Sequence, residues 1–445
     1  INPRQHISTE ITQITGITNE MVADEPTIGT VRNHVQELLG SHVVIGHNVD
    51  FDLKFLNAER LAIGHHKLDT ITLASILYPE AGRFSLESLA FFLNLPDGDS
   101  PQTHRALDDA LQTAELFLAL WERALTLETA QLEEIISAGR GIGWPETLFF
   151  EEALAEQSRR AFTDGKSPAP RRKKLFNPPR VEGKSLNPTD EPKPLDAEIV
   201  SSLIRPGGNF AKQFDGFEYR PQQAEMMDAV IGAFNTGEHL LIEAGTGTGK
   251  SVAYLLPAAF WAAENGRRVV VSTNTINLQD QLINKDIPEL RRALPFELYA
   301  AVRKGRGNYL CTRRFAKVRH EGPNNADEMT LFARMLLWLP TSNSGDVAEI
   351  PLRTWGEREA WSRLNSQSSS CTTDICANER CPLHIAKRRS ENAHVLIVNH
   401  ALLMANAANN NHVLPEFTDL IIDEAHHLES AVTGGLSFEV DKRGL

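Results

Sequence analysis

The stretch AGTGTGKS, residues 244–251, has the spacing of a phosphate-binding loop, with Ala244 at the place of the first glycine. Glycines at every second position let the backbone curl, so that consecutive N–H groups point at phosphate oxygens. In such a loop Lys250 binds the β and γ phosphates of a nucleotide, and Ser251 binds Mg²⁺. A simple glycine-rich turn is the alternative, but the sequence predicts a strand, this loop and a helix in the required order. The predicted nucleotide contacts are Gly245, Thr246, Gly247, Thr248, Gly249, Lys250 and Ser251.

The stretch LIIDEAHHLE, residues 420–429, ends an apolar strand in two carboxylates and a histidine. A strand that emerges beside the phosphate loop would offer Asp423 to Mg²⁺, directly or through water. Glu424 would then polarise the water that attacks the γ phosphate. An exposed acidic turn before a helix is the simpler interpretation, but the presence of Lys250 argues against it. We therefore predict a site for ATP and Mg²⁺ in which Lys250, Asp423 and Glu424 are catalytic.

The four cysteines of the chain all fall between residues 311 and 381. Cys311 stands alone, and Cys371, Cys376 and Cys381 follow at spacings of five. Neither half has the Cys-x₂-Cys spacing of a zinc ribbon, but four thiolates that converge can ligate a [4Fe–4S] cluster. Structural zinc and four inert thiols are the alternatives.

Basic residues with an aromatic residue among them surround Cys311 in the sequence. Such a patch can follow the phosphate backbone of a single strand and stack one of its bases. A solvated basic helix face is the alternative interpretation. The residues predicted to bind DNA are Lys304, Arg306, Tyr309, Arg313 and Arg314.

Residues 205–445 resemble the first motor domain of the DinG/XPD family of superfamily 2 helicases. The DEAH spelling matches motif II, and STNTINLQDQL, residues 272–282, resembles motif Ia, which lies along the path of the DNA strand. YRPQQ, residues 219–223, resembles the adenine-recognising segment, so the resemblance gives that role to Arg220 and Gln223. An insertion with one cysteine and then three is typical of the iron–sulfur members of this family.

The stretches HNVDFDLKFL, residues 47–56, and HRALDDA, residues 104–110, resemble the second and third motifs of the DnaQ-like 3′→5′ exonucleases. In that family four carboxylates hold two metal ions, and a histidine is the general base. The resemblance implies that Asp52 and Asp109 bind Mg²⁺ or Mn²⁺ and that His104 is the base. The alternatives are a helix cap at Asp52 and a chance His-x₄-Asp spacing, but ITQITGIT, which the family also carries, supports the resemblance.

The first motif of the exonuclease family, Asp-x-Glu on an opening strand, does not occur in residues 1–45. The chain begins with Ile1, with no signal peptide ahead of it, and we expect a fragment whose true start is upstream. We predict that this fragment alone has no nuclease activity, and that a chain extended by an Asp-x-Glu strand has it. The second motor domain is also missing, so we expect weak nucleotide binding and no unwinding.

The composition is that of a globular protein, with 41% apolar and 23% charged residues and no apolar run long enough to span a bilayer. A net charge of −13 argues against a uniformly basic surface, although a local basic channel can still bind nucleic acid. Cysteines confined to one region of the sequence are consistent with a protein of the reducing cytoplasm that has one local metal site. We expect a cytoplasmic protein that does not enter membranes.

The predicted fold is α/β, with an RNase H-like exonuclease domain followed by a RecA-like parallel-sheet motor domain that carries an inserted iron–sulfur domain. Six strands are expected, in HVVIGHN, HKLDTITLA, HLLIEAG, RRVVVSTNT, AHVLIVNHALL and TDLIIDEAHH. The predicted divisions are 1–125 for the exonuclease, 126–204 for a helical segment and a Pro-rich basic linker, 205–302 and 391–430 for the motor, 303–390 for the insertion, and 431–445 for the start of the arch insertion.

These features predict an ATP-dependent DNA helicase, 5′→3′ by resemblance, fused to a 3′→5′ exonuclease. Its expected partners are single-stranded DNA and forked or R-loop DNA at single-strand/duplex junctions, in repair or replication. A second hypothesis makes the metal-dependent exonuclease the main activity and the ATPase half an accessory. A third, a DNA-binding scaffold without enzyme activity, is disfavoured by the intact Lys250, Asp423 and Glu424.

Overall fold

The computed structural model describes residues 1–96, 106–164, 175–213, 217–245, 247–367, 371 and 380–436. The chain forms two compact units, and both are discontinuous in sequence. Unit 1 comprises Ile1–Pro178 and Leu310–Asn365, and unit 2 comprises Pro179–Tyr309 and Ser366–Leu445. No helix in the described part of the chain is long and apolar enough to cross a membrane.

The helices of the first 164 residues are α1 Thr9–Thr15, α2 Asn19–Val22, α3 Ile28–Leu39, α4 Val49–Ala58, α5 Thr70–Leu77, α6 Leu86–Phe92, α7 Ala106–Ala124, α8 Thr129–Ile142 and α9 Thr147–Asp164. Those that follow are α10 Ala197–Ser202, α11 Asn209–Gln213, α12 Pro221–Thr236, α13 Lys250–Asn265, α14 Ile276–Gln281, α15 Ile287–Ala293, α16 Thr312–Glu321, α17 Ala326–Trp338, α18 Trp355–Leu364, α19 Pro382–Glu391, α20 His400–Ala408 and α21 Leu428–Leu436. A π-helical turn, Leu282–Asp286, joins α14 to α15, and 3₁₀ turns lie at Pro79–Ala81, Arg306–Asn308, Val347–Glu349 and Ala425–His427.

The strands are β1 Val44–Gly46, β2 Lys67–Asp69, β3 Val269–Thr273, β4 Ala300–Val302, β5 Val395–Asn399 and β6 Asp419–Ile422. In unit 1, β1 and β2 pair in parallel, with Val44 opposite Lys67 and Gly46 opposite Asp69, and α4 connects them. Both strands predicted for the front of the chain are therefore found, and the predicted α/β class with parallel sheets is confirmed.

Unit 1 also has a helical core to which residues from two separate parts of the sequence contribute. Helix α17 packs against α5 and α8, and its side chains are buried on nearly every side. A helix with apolar side chains on every face must be buried on every face. Helices from both sequence segments of unit 1 bury α17 in this way. Residues 310–365 lie inside the predicted insertion of the motor, and the structure assigns them to unit 1.

The sheet of unit 2 has the order β4-β5-β3-β6, and all its strands are parallel. Strand β3 is buried throughout, as its unbroken VVVST sequence predicts for a parallel strand with both faces covered. Helix α13 follows the phosphate loop and packs on β3 and β5. Carboxyl ends of parallel strands meet at one edge of a sheet, so the residues that follow β3, β5 and β6 lie close together.

The strand predicted in HLLIEAG is not formed, since residues 241–245 belong to no strand. Leu241 is 91% exposed, and β6 is the last strand on this side of the described sheet. An extended segment without a neighbouring strand cannot satisfy its backbone hydrogen bonds in a ladder, so its apolar sequence alone does not make it a strand.

Candidate nucleotide-binding site

The phosphate loop leads into α13, and two of its glycines have a backbone conformation that other residues adopt only with strain. Gly247 and Gly249 have φ angles of +79° and +78°, in the left-handed region that favours glycine. Gly249 precedes the first residue of α13, and a Cβ atom there would lie 2.1 Å from Nε2 of Gln223. Thr246 lies outside the described residues. The local backbone therefore explains why glycine recurs in this loop.

Arg220 and Gln223, the predicted adenine-recognising residues, contact the loop itself. Arg220 immediately precedes α12, and its guanidinium donates a hydrogen bond to the carbonyl oxygen of Gly247. Gln223 is buried, and its Nε2 donates to the carbonyl oxygen of Gly249 at 2.9 Å. These two side chains fix the curled backbone of the loop. The sequence motif does not specify these contacts. Their predicted role toward adenine stays a prediction.

The acidic pair lies at the carboxyl end of β6, beside the loop. The N–H of Asp423 donates to the carbonyl oxygen of Ser272 at 2.8 Å, which extends the pairing of β6 with β3 by one residue. Glu424 then turns the chain with a φ of +54°, and its Oε1 lies 3.9 Å from Nζ of Lys250. Both side chains are about one-third exposed, so this ion pair contributes little stability. It shows that the loop lysine and the acidic pair share one site.

Tyr254 is a site residue that the sequence motifs did not identify. It lies on α13 and is 3% exposed, and its hydroxyl donates to Oδ2 of Asp423 at 3.1 Å. The other carboxylate oxygen, Oδ1, accepts from the N–H of Glu424 at 3.1 Å. Burial, followed by the negative charge of Asp423, raises the pKa of Tyr254 well above its ordinary value. Its position three residues after Ser251, on the same face of a helix, was the available signal.

His400 is a second residue that the motifs missed, and it lies beneath the acidic turn. It follows β5 directly, is 1% exposed, and places Nδ1 2.7 Å from Oγ of Ser272 on β3. Burial is the main cause that lowers the pKa of His400, and the backbone of Glu424 opposes that shift. A neutral imidazole therefore links the ends of β3 and β5 at the edge of the sheet where Asp423 lies.

The side chains at this site fit a magnesium ion. Ser251 offers a hydroxyl oxygen and Asp423 a carboxylate, and such hard oxygen donors are those that Mg²⁺ prefers. Asp286, at the end of the π-helical turn, lies beside Ser251, and burial raises the pKa of its carboxyl. When bound, Mg²⁺ neutralises charge on the phosphates.

The predicted cysteine ligands are distributed between the two units. Cys381 is 3% exposed and lies in an apolar cluster with Tyr309, Leu383, Ala386 and the partly buried Cys371, all in unit 2. Cys311 directly precedes α16 in unit 1, and Cys376 lies outside the described residues. Among the described residues, no group of three or more His, Cys, Asp or Glu side chains could hold a metal ion. The iron–sulfur cluster therefore stays a prediction.

The residues predicted to bind DNA differ widely in exposure. Lys304 is 4% exposed and its amine lies 3.1 Å from Oδ1 of Asp280, and Tyr309 is 2% exposed. The hydroxyl of Tyr309 accepts from the N–H of Lys304 at 3.0 Å, so neither side chain presents a binding surface here. Arg306 donates to the carbonyl oxygen of Ser366 at 3.1 Å.

In unit 1, Arg314 donates to the carbonyl oxygens of Arg363 and Asn365 at 3.0 and 3.3 Å, and Arg313 is exposed. Of the five predicted DNA contacts, Arg306 and Arg313 are thus the two at exposed positions.

Two of the predicted exonuclease residues, Asp52 and Asp109, lie on described helices of unit 1. Asp52 is exposed in the first turn of α4, and Asp109 is half-buried in the first turn of α7. His104 lies outside the described residues. A further carboxylate, Asp69 at the end of β2, accepts from the N–H groups of Ile71 at 2.8 Å and Val49 at 3.2 Å. Asp69 thereby holds the starts of α4 and α5 together.

Three stretches of the chain match models of known protein families. Residues 1–117 match the exonuclease model, residues 220–292 the DEAD/DEAH box helicase model, and residues 371–445 the DEAD_2 model. One chain thus carries an exonuclease region followed by regions of a DEAD/DEAH box helicase. This confirms the class of protein that the motifs predicted.

Within that class, the chain is similar along nearly all its length to proteins named 3′-5′ exonuclease DinG. It is 32% identical over 438 residues to the one from Bacillus subtilis (strain 168), which covers 97% of this chain and 46% of that protein. It is 26% identical over 447 residues to the one from Staphylococcus saprophyticus, with coverages of 96% and 46%. The chain therefore spans less than half the length of these relatives.

Proposed function

We propose that the whole protein is an ATP-dependent DNA helicase joined to a 3′→5′ exonuclease. The observation that carries the helicase half is the distance of 3.9 Å between Nζ of Lys250 and Oε1 of Glu424. Lysine at a phosphate loop binds phosphate oxygens, and a carboxylate beside it can orient the attacking water. The match of residues 1–117 to the exonuclease model supports the other half.

The roles we propose at the nucleotide site follow from the groups and their fixed positions. Lys250 binds the β and γ phosphates, and the N–H groups at the start of α13 add a positive dipole end toward them. Ser251 and Asp423 would hold Mg²⁺, and Glu424 would polarise the attacking water. Arg220 and Gln223 support this arrangement by holding the loop carbonyls, and we propose that they also border the adenine.

The finer parts of the function are proposals that rest on the family resemblance. They are 5′→3′ movement on single-stranded DNA, action at forked or R-loop junctions in repair or replication, and a [4Fe–4S] cluster held by Cys311, Cys371, Cys376 and Cys381. The buried apolar surroundings of Cys381 support a structural cluster site. A brown purified protein that loses its colour when Cys381 is replaced by Ser would support iron–sulfur ligation, and bound zinc in a colourless protein would refute it.

The test of the motor assignment is Lys250→Ala in the full-length protein. Loss of the ammonium group removes charge compensation at the transferred phosphate, so DNA-stimulated ATP hydrolysis should fall at least 100-fold. Lys212→Ala, at an exposed position of α11, is the matched control and should keep full activity. A Lys250→Ala protein that hydrolyses ATP at the normal rate would refute the assignment.

A second candidate function is an exonuclease whose ATPase half only supplies substrate. The name that these relatives carry, 3′-5′ exonuclease DinG, favours this candidate. Degradation of 3′-end and 5′-end labelled single strands, with and without ATP, separates the two. Shortening from the 3′ end that is unaffected by Lys250→Ala would favour the exonuclease as the main activity, and ATP-dependent strand separation would favour the helicase.

A further inference from the structure

Tyr254 connects the helix of the phosphate loop with the acidic strand end. It lies three residues after Ser251 and four after Lys250, so it neighbours each of them one turn further along α13. Its hydroxyl donates to Oδ2 of Asp423 at 3.1 Å, although 169 residues separate the two in sequence. One buried side chain thus joins the helix that carries Ser251 to Asp423, the other residue predicted to bind Mg²⁺.

The contact has a fixed direction, because a carboxylate oxygen has no proton to donate. The O–H group of Tyr254 is therefore the donor and Oδ2 of Asp423 the acceptor. With Oδ1 of Asp423 bound by the N–H of Glu424, each carboxylate oxygen has a donor. The plane of the carboxylate is therefore set from two sides.

We propose that Tyr254 is a positioning residue for the magnesium site, which orients the Asp423 carboxylate before the metal and nucleotide bind. The proposal rests on the proposed function, since it assumes that this site takes a magnesium nucleotide. Groups that hydrogen-bond to metal ligands fix the ligands' orientation, and their loss typically weakens metal binding 10- to 100-fold. A Tyr254 that served only to fill the core would be replaced by Phe without any such effect.

The experiment is Tyr254→Phe in the full-length protein, with a fluorescent ADP analogue as the probe. Its affinity is measured in EDTA and then along a titration with Mg²⁺. We expect unchanged affinity in EDTA and a roughly 10-fold higher Mg²⁺ concentration for half-maximal tightening, because the phosphate loop is intact and the carboxylate is loosened. Tyr299→Phe, which removes a phenol hydroxyl elsewhere in unit 2, is the matched control and should leave both values unchanged.

A double-mutant cycle with Asp423→Asn tests the connection itself. If Tyr254 acts through Asp423, Tyr254→Phe should add no further change to the Mg²⁺ requirement once Asp423 is replaced. Additive effects, or a Mg²⁺ titration of Tyr254→Phe identical to that of the unaltered protein, would overturn the proposal. Should Tyr254→Phe lower the melting temperature, the cycle is repeated at a temperature where all four proteins are folded. Failure of the unaltered protein to bind the analogue would instead refute the proposed function and, with it, this inference.

Discussion

At the scale of single residues, the carboxyl of Glu146 in unit 1 makes stability depend on pH. Glu146 is 6% exposed, and burial raises its pKa to about 7 from its ordinary value of 4.5, with Asp69 and Asp50 adding to the increase. The folded protein therefore holds this proton more tightly than the unfolded chain does. The stability that the bound proton contributes is full below pH 4.5 and is lost as the pH rises to about 7. The loss amounts to at most about 3 kcal/mol.

Replacing Glu146 by Gln should remove this dependence. The neutral amide has nearly the same shape, so Glu146→Gln should match the unaltered protein at pH 4.5 and be more stable by up to about 3 kcal/mol at pH 8. Urea unfolding of unit 1 at a series of pH values measures the difference. Glu152→Gln, at an exposed position of the helix α9 that follows Glu146, is the control and should change nothing. Parallel pH curves for Glu146→Gln and the unaltered protein would contradict this account.

The sequence allowed only some functional residues to be predicted. Lys250 and Asp423 belong to local patterns whose chemistry follows from a few neighbouring residues, and the structure brings Lys250 and Glu424 together. Tyr254 could not be found this way, because its role depends on a contact across 169 residues. Tyr309 shows the reverse case: its basic neighbours suggested an exposed stacking surface, and the tertiary structure buries the ring.

At the scale of elements, Arg334 anchors α17 within unit 1. Its guanidinium is fully buried and donates to both carboxylate oxygens of Glu357 on α18, at 2.8 and 3.2 Å. It also donates to Oγ of Ser75 on α5 at 2.8 Å and to the carbonyl oxygen of Pro351 at 2.7 Å. A buried ion pair contributes little net stability by itself, but removing one partner leaves an uncompensated buried charge. The ion pair therefore fixes α17 against α18, and the hydrogen bond to Ser75 fixes it against α5.

Arg334→Met should destabilise unit 1 by about 3–5 kcal/mol, because the Glu357 carboxylate is then buried without its cation. Arg334→Met combined with Glu357→Gln should recover most of that loss. Denaturant unfolding of the full-length protein provides the measurement. Arg319→Ala removes a partly exposed ion pair with Glu134 and should cost less than about 1 kcal/mol. Equal losses for Arg334→Met and Arg319→Ala would show that burial of the pair has no special effect.

The sequence of a buried helix does not by itself give the location of that helix in the fold. The apolar residues of α17 indicate a helix buried on all sides, and nothing in them specifies which unit surrounds it. The predicted Pro-rich linker gives a similar lesson within unit 2. The N–H of Lys193 donates to Oδ1 of Asn265 at 2.7 Å, and that of Leu195 to Oδ1 of Asn235 at 2.6 Å, so the end of this linker is fixed to α12 and α13. Composition predicts that this linker lacks regular structure. The side-chain contacts that fix its end can be identified only from the folded structure.

At the scale of the whole molecule, the chain crosses between its two units three times. Residues 310–365 lie in sequence between the phosphate loop and the acidic strand, yet they belong to unit 1 together with the exonuclease region. Large apolar side chains of α17, among them Leu331, Phe332 and Leu336, are buried in that unit. Each such side chain contributes about 1.5–3 kcal/mol when it is fully buried. The compact unit that contains the exonuclease region is therefore not built from one continuous stretch of sequence.

This organisation predicts how the exonuclease region behaves when it is separated from the rest of the chain. A protein that ends at residue 178 should leave the surfaces of α5 and α8 uncovered, bind a hydrophobic dye and melt without cooperativity, because α17 is absent. Addition of residues 310–365 through a flexible linker should restore a cooperative transition, and the same addition carrying Arg334→Met should restore it less well. Thermal melting by circular dichroism compares the three proteins. A sharp transition for the shortest one, at the temperature of unit 1 in the full-length protein, would show that the core closes without the insertion.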